Sequence, residues 1–186
     1  MTVPFRHAAE LEAGGNAAFL RIVPGSHERE KVGALLQINA RGEPIEFTFN
    51  QVELPAGALW QVGDLDRHAA RMLVESLFNA AQRTPLVLLC LAREIPPTLF
   101  RDEVVVQLPL CRVAVERDLA TLDSGESAEE RTSLNQTVHL FWRPVPPAPE
   151  SPARRLIDAI ASRGMLLEPF ERILAGVKEA LAEEPV

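Results

Sequence analysis

The feature that most constrains the fold is an uninterrupted apolar segment, PLVLLCLA, from Pro85 to Ala92. It has little of the polar and apolar alternation expected of a strand with one face in water. A run of this kind is typical of an interior strand that is covered on both faces. The sequence therefore predicts a layered structure built around a buried strand.

Three strand candidates precede this segment. The first spans residues 17–23 and ends at a Pro-Gly pair, the second spans 32–39, and the third spans 45–54 after the turn sequence ARGEP. In the third, Ile45, Phe47 and Phe49 alternate with polar residues, as on one face of a strand. Three strands with short connections predict an antiparallel meander.

A long amphipathic helix is predicted between the meander and the buried strand. Asp64 is a candidate N-cap, and apolar residues recur at helical spacing after it. The stripe consists of Leu65, Ala69, Ala70, Leu73, Val74, Leu77, Phe78 and Ala81. So broad an apolar face predicts a helix lying flat on a sheet.

The segment after Ala92 predicts more strands and an acidic loop. VVVQLPLCRVAV, residues 104–115, is one long strand or two short ones interrupted at Pro109. Residues 118–133 carry five acids and one basic residue and predict a mobile loop, whereas TVHLFWRPV predicts a last strand.

The C-terminal part predicts two helices after a proline-rich linker. Ser151 can cap a helix that has Pro152 at its first position and stops at Gly164. The predicted division is a sheet domain over 1–143, a linker over 144–152 and a helical hairpin over 153–186, docked on the same domain. The second helix carries one apolar stripe, Phe170, Ile173, Leu174, Val177 and Leu181. Such a stripe suits a groove on a partner, a second copy of the chain, or its own sheet.

The predicted fold class is α+β: a three-stranded antiparallel meander extended by a buried strand and further strands, one long helix on the sheet, and the terminal hairpin. In its order of elements the chain resembles the RNase H-like fold. Active nucleases of that class gather several carboxylates around two divalent metals. The first strand lacks such an acid, because its one charged side chain is Arg21, so a degenerate version of the fold is expected.

The composition limits which partners and which cellular location are expected. With 19 basic and 26 acidic residues, the formal net charge is −7, which disfavours nonspecific binding to nucleic-acid backbones. No apolar run is long enough for a membrane span, and the N-terminal residues do not resemble a signal peptide. A cytoplasmic location is therefore expected.

Few residues suggest chemistry. Asp64, Asp66 and His68 could bind a divalent ion, although acids in a first helical turn ordinarily offset the helix dipole. Glu75 and Glu94 could complete a metal site in a degenerate nuclease. No motif for a nucleophile, a nucleotide or a cofactor is present, so the sequence predicts no cofactor.

These observations lead to one main hypothesis and two alternatives. The main one is a non-catalytic binding or assembly protein that contacts a protein partner, or a second copy, through the C-terminal stripe. The first alternative is a divalent-metal-dependent nuclease or phosphodiesterase that uses Glu75, Glu94 and Asp64 or Asp66. The second is a small-molecule sensor with an apolar pocket between helix and sheet.

Overall fold

The computed structural model describes residues 15–27, 29–55, 61–115, 126–133 and 136–183. Its strands are β1 (Asn16–Pro24), β2 (Glu30–Asn39), β3 (Pro44–Glu53), β4 (Val87–Leu91), β5 (Leu110–Val115), β6 (Ser127–Ser133) and β7 (Gln136–Arg143). Its helices are α1 (Val62–Ala80), α2 (Pro152–Ser162) and α3 (Glu168–Glu183), with a short π-helix at Leu99–Glu103.

The strands form one mixed sheet in the order β3-β2-β1-β4-β5-β7-β6. β1, β2 and β3 are the predicted antiparallel meander. β4 lies between β1 and β5, parallel to both, and its five residues are all buried. The α+β fold class is thus confirmed, and the unbroken apolar run is the interior strand because both of its faces are covered.

Each face of the sheet has its own apolar core. In β1, Ala18 and Leu20 face α1, together with Val74 and Leu77 of that helix. The alternate residues Ala17 and Phe19 face the opposite side and join the core beneath α2 and α3. This separation follows from the two-residue period of a strand, which sends successive side chains to opposite faces.

The start of α2 agrees with the prediction from the sequence, and the start of α1 does not. At the start of α2, the Ser151 hydroxyl accepts a hydrogen bond from the Arg154 amide at 3.2 Å, and Pro152 occupies the first turn. Gly164 follows that helix with a φ of +71°, which favours glycine. The predicted cap of α1 is wrong, since Gln61 occupies that position and Asp64 lies inside the first turn.

The acidic segment also differs from the prediction. Residues 127–133 form the edge strand β6, paired antiparallel with β7, and not a loop; residues 118–125 lie outside the described residues. Ion pairs stabilise this polar edge strand. Arg154 of α2 donates to both carboxylate oxygens of Glu129 at 2.7 and 2.8 Å, and Arg131 contacts Asp158 at 2.7 Å.

The two C-terminal helices pack on the sheet of the same chain. Phe170 meets Phe19 of β1 edge to face, with ring centroids 5.2 Å apart. Phe170, Ile173 and Val177 are at most 4% exposed, while Leu174 and Leu181 are half-buried. The apolar stripe is therefore used largely inside the molecule. Within the described part of the chain, no helix is long and apolar enough to cross a membrane.

Candidate functional site

A hollow of about 590 Å³, called here the α1 pocket, opens at the carboxyl ends of β1 and β4. The strand order reverses at this point, because β2 pairs with one edge of β1 and β4 pairs with the other edge. Open sheets with parallel strands bind ligands at such points. The lining residues are Ile22, Val23, Pro24, Lys31, Gln61, Gly63, Asp64, Asp66, Arg67, Ala70, Glu94, Pro96, Thr98 and Leu99.

Glu94, three residues beyond the end of β4, is the least exposed acid of the pocket. Its side chain is 15% exposed, and both of its oxygens accept from the guanidinium of Arg21, which is 5% exposed. The Arg21 Nε lies 3.1 Å from Oε2, and one terminal nitrogen contacts Oε1. The other terminal nitrogen donates to the Phe170 carbonyl at 3.0 Å, which ties α3 to this pair.

A second buried arginine holds the turn that carries Glu94. Arg112 of β5 donates to the carbonyls of Ala92 and Ile95, both at 3.1 Å. It also donates to Glu126 at 2.8 Å, and both side chains of this pair are at most 1% exposed. The position of Glu94 is thus fixed by hydrogen bonds from both β1 and β5.

The other two acids of the pocket, Asp64 and Asp66, lie on the first two turns of α1. Asp66 pairs with Lys31 at 3.2 Å, and Asp64 pairs with Arg67. Both carboxylates are more than 40% exposed, and Arg67 is 51% exposed. Such exposed pairs contribute little stability and exchange readily with other ions.

The pocket does not fit a divalent metal as its side chains stand. Within the described ranges, no group of three His, Cys, Asp or Glu residues lies close enough to hold a metal ion. Asp64, Asp66 and Glu94 do line one hollow, but each carboxylate is paired with its own cation. Glu75 is exposed farther along α1, and His68 is half-buried with Nδ1 3.5 Å from Arg71.

Further cations lie beside the pocket. Asp102, on the π-helix, has its pKa lowered, mainly by hydrogen bonds from Arg101 and additionally by the positive charges of Arg143 and Arg67. The charges that act on Asp102 therefore come from α1, the π-helix and the end of β7.

The two cysteines offer no nucleophile. Cys90 and Cys111 are completely buried on neighbouring strands. Burial raises the pKa of the Cys90 thiol to about 12 and that of Cys111 well above its usual value, so both remain protonated.

Sequence reasoning found the acids of the pocket and missed the arginines that organise them. Arg21 and Arg112 each interrupt an apolar strand, and a charge in a strand interior signals a buried partner. The partners, Glu94 and Glu126, are 73 and 14 residues away along the chain. Only the folded sheet brings these pairs together.

No family model and no curated protein matches this chain. The structure is similar to endonuclease V from Streptomyces avermitilis, with a TM-score of 0.56 and 12% identity over 98% of this chain and 95% of that one.

Two weaker structural similarities were also found. Endonuclease V from Bacillus subtilis matches with a TM-score of 0.45 and 14% identity over 84% of this chain and 81% of that one. Marinitoga piezophila Argonaute, in complex with guide RNA and target DNA, matches with a TM-score of 0.37 and 10% identity over 81% of this chain and 26% of that one.

The similarity to the Streptomyces enzyme fits the predicted RNase H-like order of elements. It also overturns the main functional hypothesis, a non-catalytic protein that acts through protein contacts. The matched fold, over nearly the whole of both chains, is that of a nuclease and favours the alternative reading. The helical stripe misled the sequence argument because it looks the same whether it covers a partner or, as here, mainly its own sheet.

Proposed function

We propose that this protein acts on nucleic acid and that the α1 pocket contacts the sugar-phosphate backbone. The observation that carries the proposal is the position of the pocket, at the carboxyl ends of β1 and β4 on an endonuclease-V-like fold. A ligand at this end of the sheet meets the first turn of α1 and the turn that carries Glu94.

Two cations of the pocket supply the attraction. Lys31, 27% exposed, and Arg67, 51% exposed, pair with the exposed carboxylates of Asp66 and Asp64. A phosphate can therefore compete for both cations at little cost, because exposed pairs contribute at most about 1 kcal/mol. With a net charge of −7, binding has to be local and sensitive to salt.

Fluorescence anisotropy with labelled single-stranded and duplex DNA and RNA tests the proposal. Binding is expected at low salt and should weaken as salt rises. For single-stranded nucleic acid, the logarithm of the association constant falls linearly with the logarithm of the salt concentration. Lys31→Ala and Arg67→Ala should each make this slope shallower by about 0.7. Arg163→Ala, at the end of α2, removes the same charge outside the pocket and should leave the slope unchanged.

Hydrolysis of the bound strand is the second candidate, and the endonuclease V fold is the observation that favours it. The expected assay result is cleavage of labelled DNA or RNA that depends on Mg²⁺ or Mn²⁺ and disappears in Glu94→Gln. The pairing of Glu94 with Arg21 weighs against this candidate. Intact substrate with every strand type and both ions would refute hydrolysis and leave the binding proposal standing.

A further inference from the structure

We infer that Arg21 neutralises Glu94 as a built-in cation, so that this end of the sheet does not hold a divalent metal ion. Glu94 is the most enclosed acid of the α1 pocket, and both of its oxygens are bound by the Arg21 guanidinium. A carboxylate that is only 15% exposed is stabilised by a positive partner. Arginine supplies one at any physiological pH.

The same contact disfavours a metal. A divalent ion needs oxygens from several ligands, and both Glu94 oxygens already accept a hydrogen bond from Arg21. The guanidinium would also stand next to the ion and repel it. Asp64 and Asp66 are each paired with a cation of their own, so they do not complete a site around Glu94.

Arg21 differs from a mobile ion in one further respect, because it is anchored. Its remaining terminal nitrogen donates to the Phe170 carbonyl at 3.0 Å, at the start of α3. Arg21 therefore links Glu94 to the C-terminal helix as well as to β1. This arrangement maintains the charge and geometry of Glu94 without any metal supply.

Mn²⁺ binding by the purified full-length chain tests the inference. Free Mn²⁺ is measured by its paramagnetic resonance signal, and unfolding is followed with and without the ion. The wild-type protein is expected to bind Mn²⁺ only weakly and to the same extent as Glu94→Gln. A single saturable site in the wild type that Glu94→Gln abolishes would overturn the inference.

Removing the guanidinium gives a second, positive readout. Arg21→Gln removes the guanidinium that binds both Glu94 oxygens and leaves Arg93 Nε at 4.0 Å from Oε1, so it should tighten Mn²⁺ binding about tenfold or more, which is a large enough change to measure reliably. Adding Glu94→Gln to this variant should abolish the gain. An Arg21→Gln protein that folds, by circular dichroism, and gains no Mn²⁺ affinity would contradict the inference. If that variant does not fold, the comparison of wild type with Glu94→Gln still decides.

These measurements go beyond the proposed function and do not depend on it. Nucleic-acid binding by the wild type should be the same in EDTA as in Mg²⁺. Absence of nucleic-acid binding in both would refute the proposed function and leave the Mn²⁺ result unaffected.

Discussion

Arg21 and Arg112 stand on β1 and β5, the parallel strands on either side of β4, and both guanidinium groups are buried. Each is paired with a glutamate, and together they hold the turn after β4. Arg21 binds the Glu94 side chain, whereas Arg112 binds the carbonyls of Ala92 and Ile95. The pairs differ in access to solvent. Glu94 opens onto the α1 pocket, while Glu126 is sealed.

The difference in solvent access means that one pair can affect only stability, whereas the other can affect both stability and ligand binding. A sealed pair serves only the fold, because no ligand reaches it and loss of one partner leaves a charge in a dry interior. A pair at the edge of a pocket also stabilises the fold, but water and ligands can approach it. We therefore expect the two arginines to diverge in stability measurements and in binding measurements.

The largest expected loss of stability is that caused by substitution of Arg112. Arg112→Met keeps most of the side-chain volume and removes the charge, so Glu126 loses its 2.8 Å partner inside the protein. Breaking a buried pair in this way costs about 3–5 kcal/mol of unfolding free energy. Urea denaturation measures the loss, and the double variant Arg112→Met/Glu126→Gln should recover part of it. If Arg112→Met lost less unfolding free energy than Arg21→Gln, the sealed pair would not be the more important one for stability.

Arg21→Gln should destabilise the protein less, by about 1–3 kcal/mol. Glu94 is 15% exposed, so water can solvate the carboxylate once the guanidinium is gone. Thermal unfolding alongside Arg163→Gln, an exposed arginine outside both pairs, isolates the contribution of the buried contact. An effect no larger than that of the Arg163 control would show that the pair does not stabilise the fold.

A smaller effect is expected at the Glu129 pair, which is intermediate in exposure. Burial alone would raise the pKa of Glu129, but hydrogen bonds from Arg154 and Arg131 outweigh it and lower the pKa below its ordinary value of 4.5. A lowered folded pKa contributes stability above the unfolded pKa and loses it as pH falls through the folded value. The stability advantage of the wild type over Glu129→Gln should therefore shrink below about pH 4.5. An advantage that grows with acidification would contradict this sign.

The smallest stability effect is expected at Asp66, an exposed acid of the pocket. Asp66→Ala breaks only the exposed pair with Lys31, at a cost below about 1 kcal/mol. Because Lys31 is then free for phosphate, nucleic acid should bind about threefold more tightly, as a gain of roughly 0.7 kcal/mol implies. Anisotropy at fixed salt measures it, with Asp158→Ala as the control away from the pocket. Weaker binding in Asp66→Ala would argue against phosphate contact by Lys31.

The local structure of this protein was determined largely by its sequence. The apolar run at 85–92 specified a covered strand, the alternation in 45–54 specified a meander strand, and Ser151 with Pro152 specified a helix start. These patterns depend on neighbours within a few residues, so they can be recognised without the fold. The prediction of a loop over 118–133 was wrong for residues 127–133, because an edge strand exposes much of its surface and tolerates a polar, charged sequence that resembles a loop.

The tertiary structure alone decided the chemistry of the site. The sequence contains Arg21, Glu94, Arg112 and Glu126 as single charges in separate segments, and nothing in their spacing joins them. Parallel pairing of β1, β4 and β5 brings them to one end of the sheet. Whether an acid there is free to hold a metal or is neutralised by an arginine depends on distances of a few ångströms between distant residues, since electrostatic interactions in a protein depend on separation and burial and not on sequence order.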